Sequence, residues 1–258
     1  MSALLEFAGV DKSFGGLNVI ADLTFHIREG SRTALIGPNG SGKSTTFNLI
    51  SGVYPIDKGA IRFAGEEVSA LPPHLRVRRG LARSFQNIRL MPHLTAAENV
   101  MLGQHSRVRG GWRKLMPLTR FGRNRWTEEA RAALAAAGLS QYDRRLVSDL
   151  PYGIQKRIEV VRAKPARPRL LLLDEPAAGL NARETAELRA LFDALADQKV
   201  TLLVVEHDMA FVRTLCDHVI VLNFGHKIAE GTLDEVRREQ AVLDAYFGYD
   251  SAGAGDAA

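Results

Sequence analysis

The sequence has 258 residues, 46% of them hydrophobic, and a formal net charge of +5. This is enough apolar material for one large domain or a domain with a subdomain, and the charge fits a nucleotide, a membrane surface or nucleic acid without selecting one. The single cysteine, Cys216, excludes a disulfide framework and a cysteine-based zinc site, and we expect a buried, unreactive thiol in a reducing cytoplasm. The first ten residues carry Glu6 and no basic segment, so they predict no secretion signal. No apolar run approaches the roughly 20 residues that cross a bilayer.

The first half of the chain predicts strands followed by helices. We expect strands at 3–10, 25–27, 33–36 and 61–63, and a helix at 43–51 directly after a glycine-rich turn. The segment from about 70 to 165 is instead mostly helical and rich in Arg and Ala. Its clearest helix runs from Thr127 to Ala137 and stops at Gly138.

The last third of the chain alternates between strands and helices. Apolar strands are expected at 170–173 and 200–205, with an amphipathic helix at 182–197 between them. Apolar runs between helices predict a parallel sheet covered on both faces, and therefore an α/β fold. A hairpin is expected from 219–222 and 227–229, and the small, polar residues 251–258 are predicted to be disordered.

A glycine-rich segment predicts a phosphate site. It reads GPNGSGKST and matches the pattern G-x-x-x-x-G-K-[ST], with an apolar strand before it and a helix after it. A plain glycine turn is the alternative, but the strand and helix around it favour a nucleotide. Lys43 is expected to reach the β- and γ-phosphates and Ser44 to bind Mg²⁺. The candidate nucleotide-binding residues are Gly37, Pro38, Asn39, Gly40, Ser41, Gly42, Lys43, Ser44 and Thr45.

A second motif, LLLLDEP, ends an apolar strand with two carboxylates. Ligands bind at the carboxyl ends of strands in a parallel sheet. Asp174 is therefore predicted to lie near the metal, and Glu175 to polarise a water in line with the γ-phosphate. Two solvated acids at a strand end are the alternative, which the phosphate motif in the same sheet disfavours.

The order of the motifs resembles the ATP-binding subunit of an ABC transporter over nearly the whole chain. The phosphate motif is followed by RSFQN, LPYGIQ, LLLLDEPAAGLN and VVEHD. The resemblance implies a P-loop NTPase with a RecA-like core, an N-terminal antiparallel β subdomain and a helical subdomain inserted at about 85–165, all in one domain at 1–250. It implies ATP and Mg²⁺ as ligands, with Lys43, Glu175 and His207 as catalytic residues.

The same resemblance assigns the remaining site residues. Gln86 would sense Mg²⁺ and touch the permease, and Phe14 would stack on adenine where the family more often has Tyr. Residues 178–181 would cross to the partner subunit, and His207 would contact the γ-phosphate. The implied partners are membrane permease subunits, a second ATPase subunit and, indirectly, a periplasmic solute-binding protein, at the cytoplasmic face of a bacterial inner membrane. Nucleic acid is not expected.

The signature segment departs from the family. Leu150, Pro151, Tyr152, Gly153 and Ile154 stand where ABC proteins carry LSGGQ. The resemblance implies that this helix start binds the γ-phosphate of an ATP held mainly by the other subunit of a head-to-tail dimer. Pro151 has neither a hydroxyl nor an N–H, so we predict that the ATP site completed by this signature is the weaker one. The partner is then expected to be a different ATPase chain, with a homodimer as the alternative. A few residues later, Pro165 is expected to end or kink the helix.

Finer features resemble the LivG-type subunits of branched-chain amino acid uptake systems, on the segments FQNIRL, EHDM, DEPAAGLN and YGIQ. The cargo is predicted from similarity alone, because the ATPase does not touch it. Urea, aromatic acid and lipopolysaccharide systems use similar subunits and stay open. A soluble ABC ATPase acting on DNA or ribosomes is disfavoured, because the chain has one phosphate motif, no heptad stretch and no cysteine cluster.

The segment from Ser106 to Thr127 has basic and aromatic residues and no acid. A solvated loop is the first interpretation. Contact with the permease or the anionic leaflet is the second, and nucleic acid the third.

Overall fold

The computed structural model describes residues 3–84, 88–104 and 125–247, and all structural statements concern these residues. The strands are β1 Ala3–Phe14, β2 Leu17–Arg28, β3 Arg32–Ile36, β4 Lys58–Phe63, β5 Glu66–Glu67, β6 Leu81–Arg83, β7 Leu170–Asp174, β8 Thr201–Val205, β9 His218–Asn223 and β10 His226–Gly231. The α-helices are α1 Lys43–Ser51, α2 Pro73–Arg78, α3 Ala96–Leu102, α4 Arg125–Ala136, α5 Tyr152–Ala163, α6 Ala182–Ala196, α7 Met209–Leu215, α8 Leu233–Val236 and α9 Gln240–Phe247.

An antiparallel sheet is built at the amino-terminal end from β2, β1, β4 and β5, in that spatial order. In β2 the buried side chains of Leu23, Phe25 and Ile27 alternate with exposed ones, as expected for a strand with one covered face. The first strand is longer than the predicted 3–10, because it continues to Phe14 opposite Leu17.

A second sheet has the order β10-β9-β3-β8-β7-β6, with parallel pairing except at β10. This confirms the predicted parallel sheet and the late hairpin. Every residue of β7 and β8 is buried, which explains their unbroken apolar sequences. Because β3, β7 and β8 are parallel neighbours, the segments that follow them meet at one edge of the sheet.

Apolar cores cover both faces of the parallel sheet. One core lies between the two sheets and includes Phe7, Phe47 and Leu172. A second core joins α3, α4 and α5 to α6 and the other face of the sheet through residues such as Ile158, Leu171 and Phe192. The helical segment is thereby packed on the same sheet that carries the phosphate motif.

The helical segment contains two features that its sequence did not predict. A strand, β6, lies within the stretch expected to be mostly helical, because Ala82 pairs in parallel with Leu171 of β7. Helix α3 begins with a capping box in which Thr95 and Glu98 satisfy each other's backbone N–H groups. Helix α5 ends at Ala163, before Pro165, as predicted.

Some predictions lie outside the described residues. These are the role of Gln86, most of the basic segment 106–127, and the tail 251–258. Of the basic segment, the described part is the start of α4, where Trp126 packs against the helical core. Burial raises the pKa of the Cys216 thiol to about 12, which agrees with an unreactive cysteine. None of the helices in the described ranges has the length and apolarity needed to cross a membrane.

Candidate functional site

The phosphate motif forms a tight turn between β3 and α1. Gly37 and Gly42 have φ of +152° and +101°, a region that favours glycine. A Cβ on Gly37 would overlap the carbonyl oxygen of Leu222, and one on Gly42 would lie 2.6 Å from Ile20 Cδ1. Gly42 is also the N-cap residue of α1 and has no side chain to cap the helix. No side chain at the N-cap position therefore bonds the first N–H groups of α1, and these groups can bind an anion.

Lys43 lies inside this turn and is 7% exposed. Its ammonium donates hydrogen bonds to the carbonyls of Gly37 and Pro38, at 2.7 and 2.8 Å. Burial lowers the pKa of Lys43, while the charges of Glu175 and Asp174 oppose that shift. The predicted lysine and both predicted carboxylates therefore belong to one electrostatic site. Ser44, the next residue, is exposed at the start of α1.

Asp174 is the last residue of β7 and is 8% exposed. Its Oδ2 accepts a hydrogen bond from Arg83 Nη2 at 3.0 Å. Glu175 has a left-handed φ of +46°, and its N–H donates to the carbonyl of Val205 at 2.9 Å. The two carboxylates consequently have different environments, one held by a guanidinium and the other turned toward β8.

His207 follows β8, and its Nε2 lies 2.7 Å from Glu175 Oε1. The imidazole is half-exposed, with 50% of the side chain accessible. The sequence predicted both residues as catalytic but did not predict this contact. The hydrogen bond fixes the direction of the Glu175 carboxylate, which a general base requires.

Glu206 is a buried carboxylate beside His207. It accepts hydrogen bonds from the backbone N–H groups of Ala177, at 2.8 Å, and His207, at 3.1 Å. Burial raises its pKa, and these backbone N–H groups lower it. Glu206 thus joins the turn after Glu175 to the turn after β8.

Phe14 is 40% exposed and contacts Tyr54 edge-on, with ring centroids 5.1 Å apart. Lys12 Nζ lies 5.2 Å from the Phe14 centroid. An exposed pair of rings can stack on a nucleobase. Tyr54 is a candidate that the sequence did not single out.

The signature segment lies at the start of α5. Pro151 is its N-cap residue, and Tyr152 is the first helical residue, 46% exposed. Leu150 is buried and Ile154 packs against the helical core. A Cβ on Gly153 would overlap the Glu184 carboxylate, and one on Gly179 would lie 3.3 Å from the Tyr152 ring. The signature therefore packs against the segment 178–184 of the same chain.

Three residues near the site were missed at the sequence level: Arg83, Glu206 and Tyr54. Arg83 and Glu206 lie inside the segments RSFQN and VVEHD, which drew attention only for Gln86 and His207. A charged residue directly after an apolar strand could have indicated Glu206, because burying a charge is costly without a partner. Arg83 has no such signal, because the short strand β6 was not predicted.

Comparisons with known proteins agree with this geometry. A family model described as "ABC transporter" matches residues 20–178, and one described as "Branched-chain amino acid ATP-binding cassette transporter" matches 226–252. The "High-affinity branched-chain amino acid transport ATP-binding protein BraF" of Pseudomonas aeruginosa is 39% identical, over 95% of this chain and 98% of that protein. The corresponding LivG protein of Escherichia coli is 36% identical over the same shares.

Solved structures show the same fold. A nucleotide-free ATP-binding cassette from an ABC transporter superposes with a TM-score of 0.85 and 26% identity, covering 96% of this chain and all of that one. A dimeric cassette bound to ADP and Pi in a post-hydrolysis state has a TM-score of 0.74 and 25% identity, covering 89% of this chain and 98% of that one. The chain therefore belongs to the ABC transporter family, as one of its ATP-binding and ATP-hydrolysing subunits.

Proposed function

We propose that this subunit powers an importer of branched-chain or other hydrophobic amino acids. The observation that carries the proposal is the match of residues 226–252 to the branched-chain model, together with relatives of that named activity along the full chain. Permease subunits would receive the energy of ATP hydrolysis, and a periplasmic solute-binding protein would supply the cargo. The subunit would lie on the cytoplasmic face of a bacterial inner membrane.

An uptake assay tests the cargo. Cells lacking the gene should lose most high-affinity uptake of labelled leucine, isoleucine or valine, and the wild-type gene should restore it. The Glu175→Gln gene should not. Unchanged leucine uptake with lost uptake of urea or an aromatic acid would contradict the amino-acid proposal and leave the ATPase assignment intact.

ATP is proposed to bind with its phosphates in the turn between β3 and α1. Backbone N–H groups of the turn and the start of α1 would hold the phosphate oxygens, and Lys43 would move from the Gly37 and Pro38 carbonyls to the β- and γ-phosphates. Adenine would stack on Phe14, with Tyr54 beside it. The domain is proposed to span 1–250, with 85–165 as its helical insertion.

The oxygen donors of this site fit Mg²⁺. Among the described residues there is no cluster of three or more His, Cys, Asp or Glu side chains suited to a metal, and Mg²⁺ at nucleotide sites typically takes one or two carboxylates plus phosphate oxygens and water. Ser44 and Asp174 would hold it, with Gln86 as the third predicted residue. When bound, Mg²⁺ would neutralise charge on the β- and γ-phosphates.

Hydrolysis is proposed to use Glu175 as the base for the attacking water. The carboxylate would accept a proton from that water while His207 fixes its orientation through the 2.7 Å contact. Contact of His207 with the γ-phosphate itself stays a prediction.

Each ATP is proposed to be closed between the phosphate turn of one subunit and the signature of the other. This chain would contribute Leu150 to Ile154 to its partner's ATP. Because Pro151 lacks both donors of a serine, we infer that the partner is a different ATPase chain with a fuller signature. The site built on Lys43 and Glu175 would then be the stronger of the two.

A further inference from the structure

Arg83 connects three parts of the nucleotide site. It ends β6, and its Nη2 donates to Asp174 Oδ2 at 3.0 Å. Its Nη1 donates to Asn48 Oδ1 at 2.7 Å and to Ser51 Oγ at 3.2 Å, both on α1. The guanidinium carbon lies 5.6 Å from the centroid of the Phe47 ring, also on α1.

This ion pair is shielded from water. The side chains of Arg83 and Asp174 are 12% and 11% exposed. A buried ion pair rarely stabilises a fold more than apolar residues of the same size would. A purely structural role therefore gives a weak reason for a charged pair at this position.

The geometry has a direct consequence for Asp174. A carboxylate that accepts a hydrogen bond from a fixed guanidinium cannot rotate freely, so its second oxygen points in a set direction. Replacing a residue that orients a metal-binding carboxylate in this way usually lowers the metal affinity about 10- to 100-fold. The planar guanidinium can also bond Asp174 and α1 at the same time, which a lysine ammonium cannot do in the same geometry.

We propose that Arg83 is a positioning residue for the Mg²⁺–ATP site. It holds the Asp174 carboxylate in a fixed position relative to α1, the helix that follows the phosphate turn. The proposal rests on the proposed role of Asp174 beside the metal. Arg83 stands three residues before Gln86 in the sequence, so the strand that carries it leads directly to the predicted Mg²⁺-sensing residue.

The test measures nucleotide binding to the intact transporter complex. Binding of a fluorescent ATP analogue is followed in EDTA and across a Mg²⁺ titration for the wild type, Arg83→Met and Arg83→Lys. For Arg83→Met we expect an affinity for the ATP analogue in EDTA within about twofold of the wild type. The Mg²⁺ midpoint, which is the Mg²⁺ concentration that gives half of the Mg²⁺-dependent binding, should rise about 10- to 100-fold. Arg83→Lys should give an intermediate midpoint. ATP turnover is recorded as a second readout.

Arg169→Met is the matched control. Arg169 lies just before the first residue of β7, whereas Asp174 is the last residue of that strand. It forms a surface ion pair with Glu29 at 2.8 Å. Its Mg²⁺ midpoint should equal that of the wild type. A wild-type midpoint in folded Arg83→Met overturns the inference. If Arg83→Met does not fold, Arg83→Lys decides: a raised midpoint supports the role and an unchanged one overturns it.

Asp174→Asn separates this inference from the proposed function. If Asp174→Asn raises the midpoint and the Arg83 variants do not, the role of Arg83 is wrong and that of Asp174 stands. If Asp174→Asn leaves the Mg²⁺ dependence unchanged, the proposed metal site is wrong, and the inference about Arg83 falls with it.

Discussion

Glu175 Oε1 and His207 Nε2 lie 2.7 Å apart, across two neighbouring strands. Each residue follows the carboxyl end of its strand, and these strands pair in parallel with Asp174 opposite Val205. The left-handed backbone of Glu175 turns its side chain toward the end of β8. A non-glycine residue held in this conformation carries a strain that persists when the surrounding structure enforces it, as often at active sites.

Glu175→Gln should retain ATP binding and reduce turnover of the assembled transporter by at least about 10²-fold, the scale of general-base catalysis. The amide can keep a hydrogen bond to His207 but cannot accept the proton of water. Phosphate release and nucleotide affinity are measured side by side. Glu239→Gln is the control, because Glu239 is an exposed residue between α8 and α9. It should leave turnover and nucleotide affinity at wild-type values. Normal turnover in Glu175→Gln would contradict its role as the base.

Lys43→Ala should weaken nucleotide binding itself. Losing a charge-assisted hydrogen bond costs about 1.5–3 kcal/mol, which corresponds to an affinity loss of roughly ten- to a hundredfold. Calorimetric titration with ATP gives the affinity. Lys164→Ala is the control, because Lys164 begins a short 3₁₀ turn, Lys164–Ala166, that precedes β7, whereas the phosphate motif follows β3. Equal ATP affinity in Lys43→Ala and the control would exclude a phosphate contact.

Gly37→Ala should lower the melting temperature and abolish nucleotide binding. The added Cβ would overlap the backbone carbonyl of Leu222, which cannot move without disturbing β9. Gly65→Ala is the matched control, since its φ is +79° and a Cβ there meets nothing within 4 Å. We expect only backbone strain of about 1–2 kcal/mol in the control. Similar melting temperatures for the two variants would refute the steric explanation.

Glu206→Gln should slow turnover while leaving ATP affinity nearly unchanged. In the wild type, the two carboxylate oxygens of Glu206 accept hydrogen bonds from the backbone N–H groups of Ala177 and His207, one each. A glutamine amide has only one oxygen to accept both. One buried N–H would lose its acceptor, at a cost of about 1–3 kcal/mol. Thermal unfolding and steady-state kinetics measure the two effects, again against Glu239→Gln. A variant with wild-type turnover would show that Glu206 is not needed to hold these turns.

Pro151→Ser should strengthen the ATP site completed by this signature. The backbone of Pro151 is extended, with φ −55° and ψ 149°, so a serine N-cap fits it without strain. The assay uses a complex in which Glu175 of this chain is already Gln, so that turnover reports the partner's ATP. We expect an increase of about tenfold or more, from one regained charge-assisted donor.

Pro72→Ser is the control for that change, because Pro72 is the N-cap residue of α2, away from the signature. It should leave turnover unaffected. The isolated chain should also hydrolyse ATP slowly. A fully active homodimer, or unchanged turnover in Pro151→Ser, would contradict the inferred weak site.

The sequence by itself determined the parts of this protein that depend on local patterns. Unbroken apolar runs predicted β7 and β8, and the spacing of glycines before Lys43 predicted the turn and the helix that begins there. Asp174 and Glu175 could be found because one ends a recognisable strand and the other directly follows it, whereas His207 was assigned from the family resemblance of the segment VVEHD. Pro165 marked the end of α5 because proline cannot continue a helix.

Only the tertiary structure decided which side chains touch. Arg83 lies 91 positions from Asp174 in the chain, and Glu206 lies 29 from Ala177, so no local pattern links them. The same holds for β6, a three-residue strand that exists because Ala82 pairs with Leu171 across the sheet. These contacts arise from the order of parallel strands, which brings distant segments to one edge and gives the carboxylates of Asp174 and Glu206 their hydrogen-bond donors.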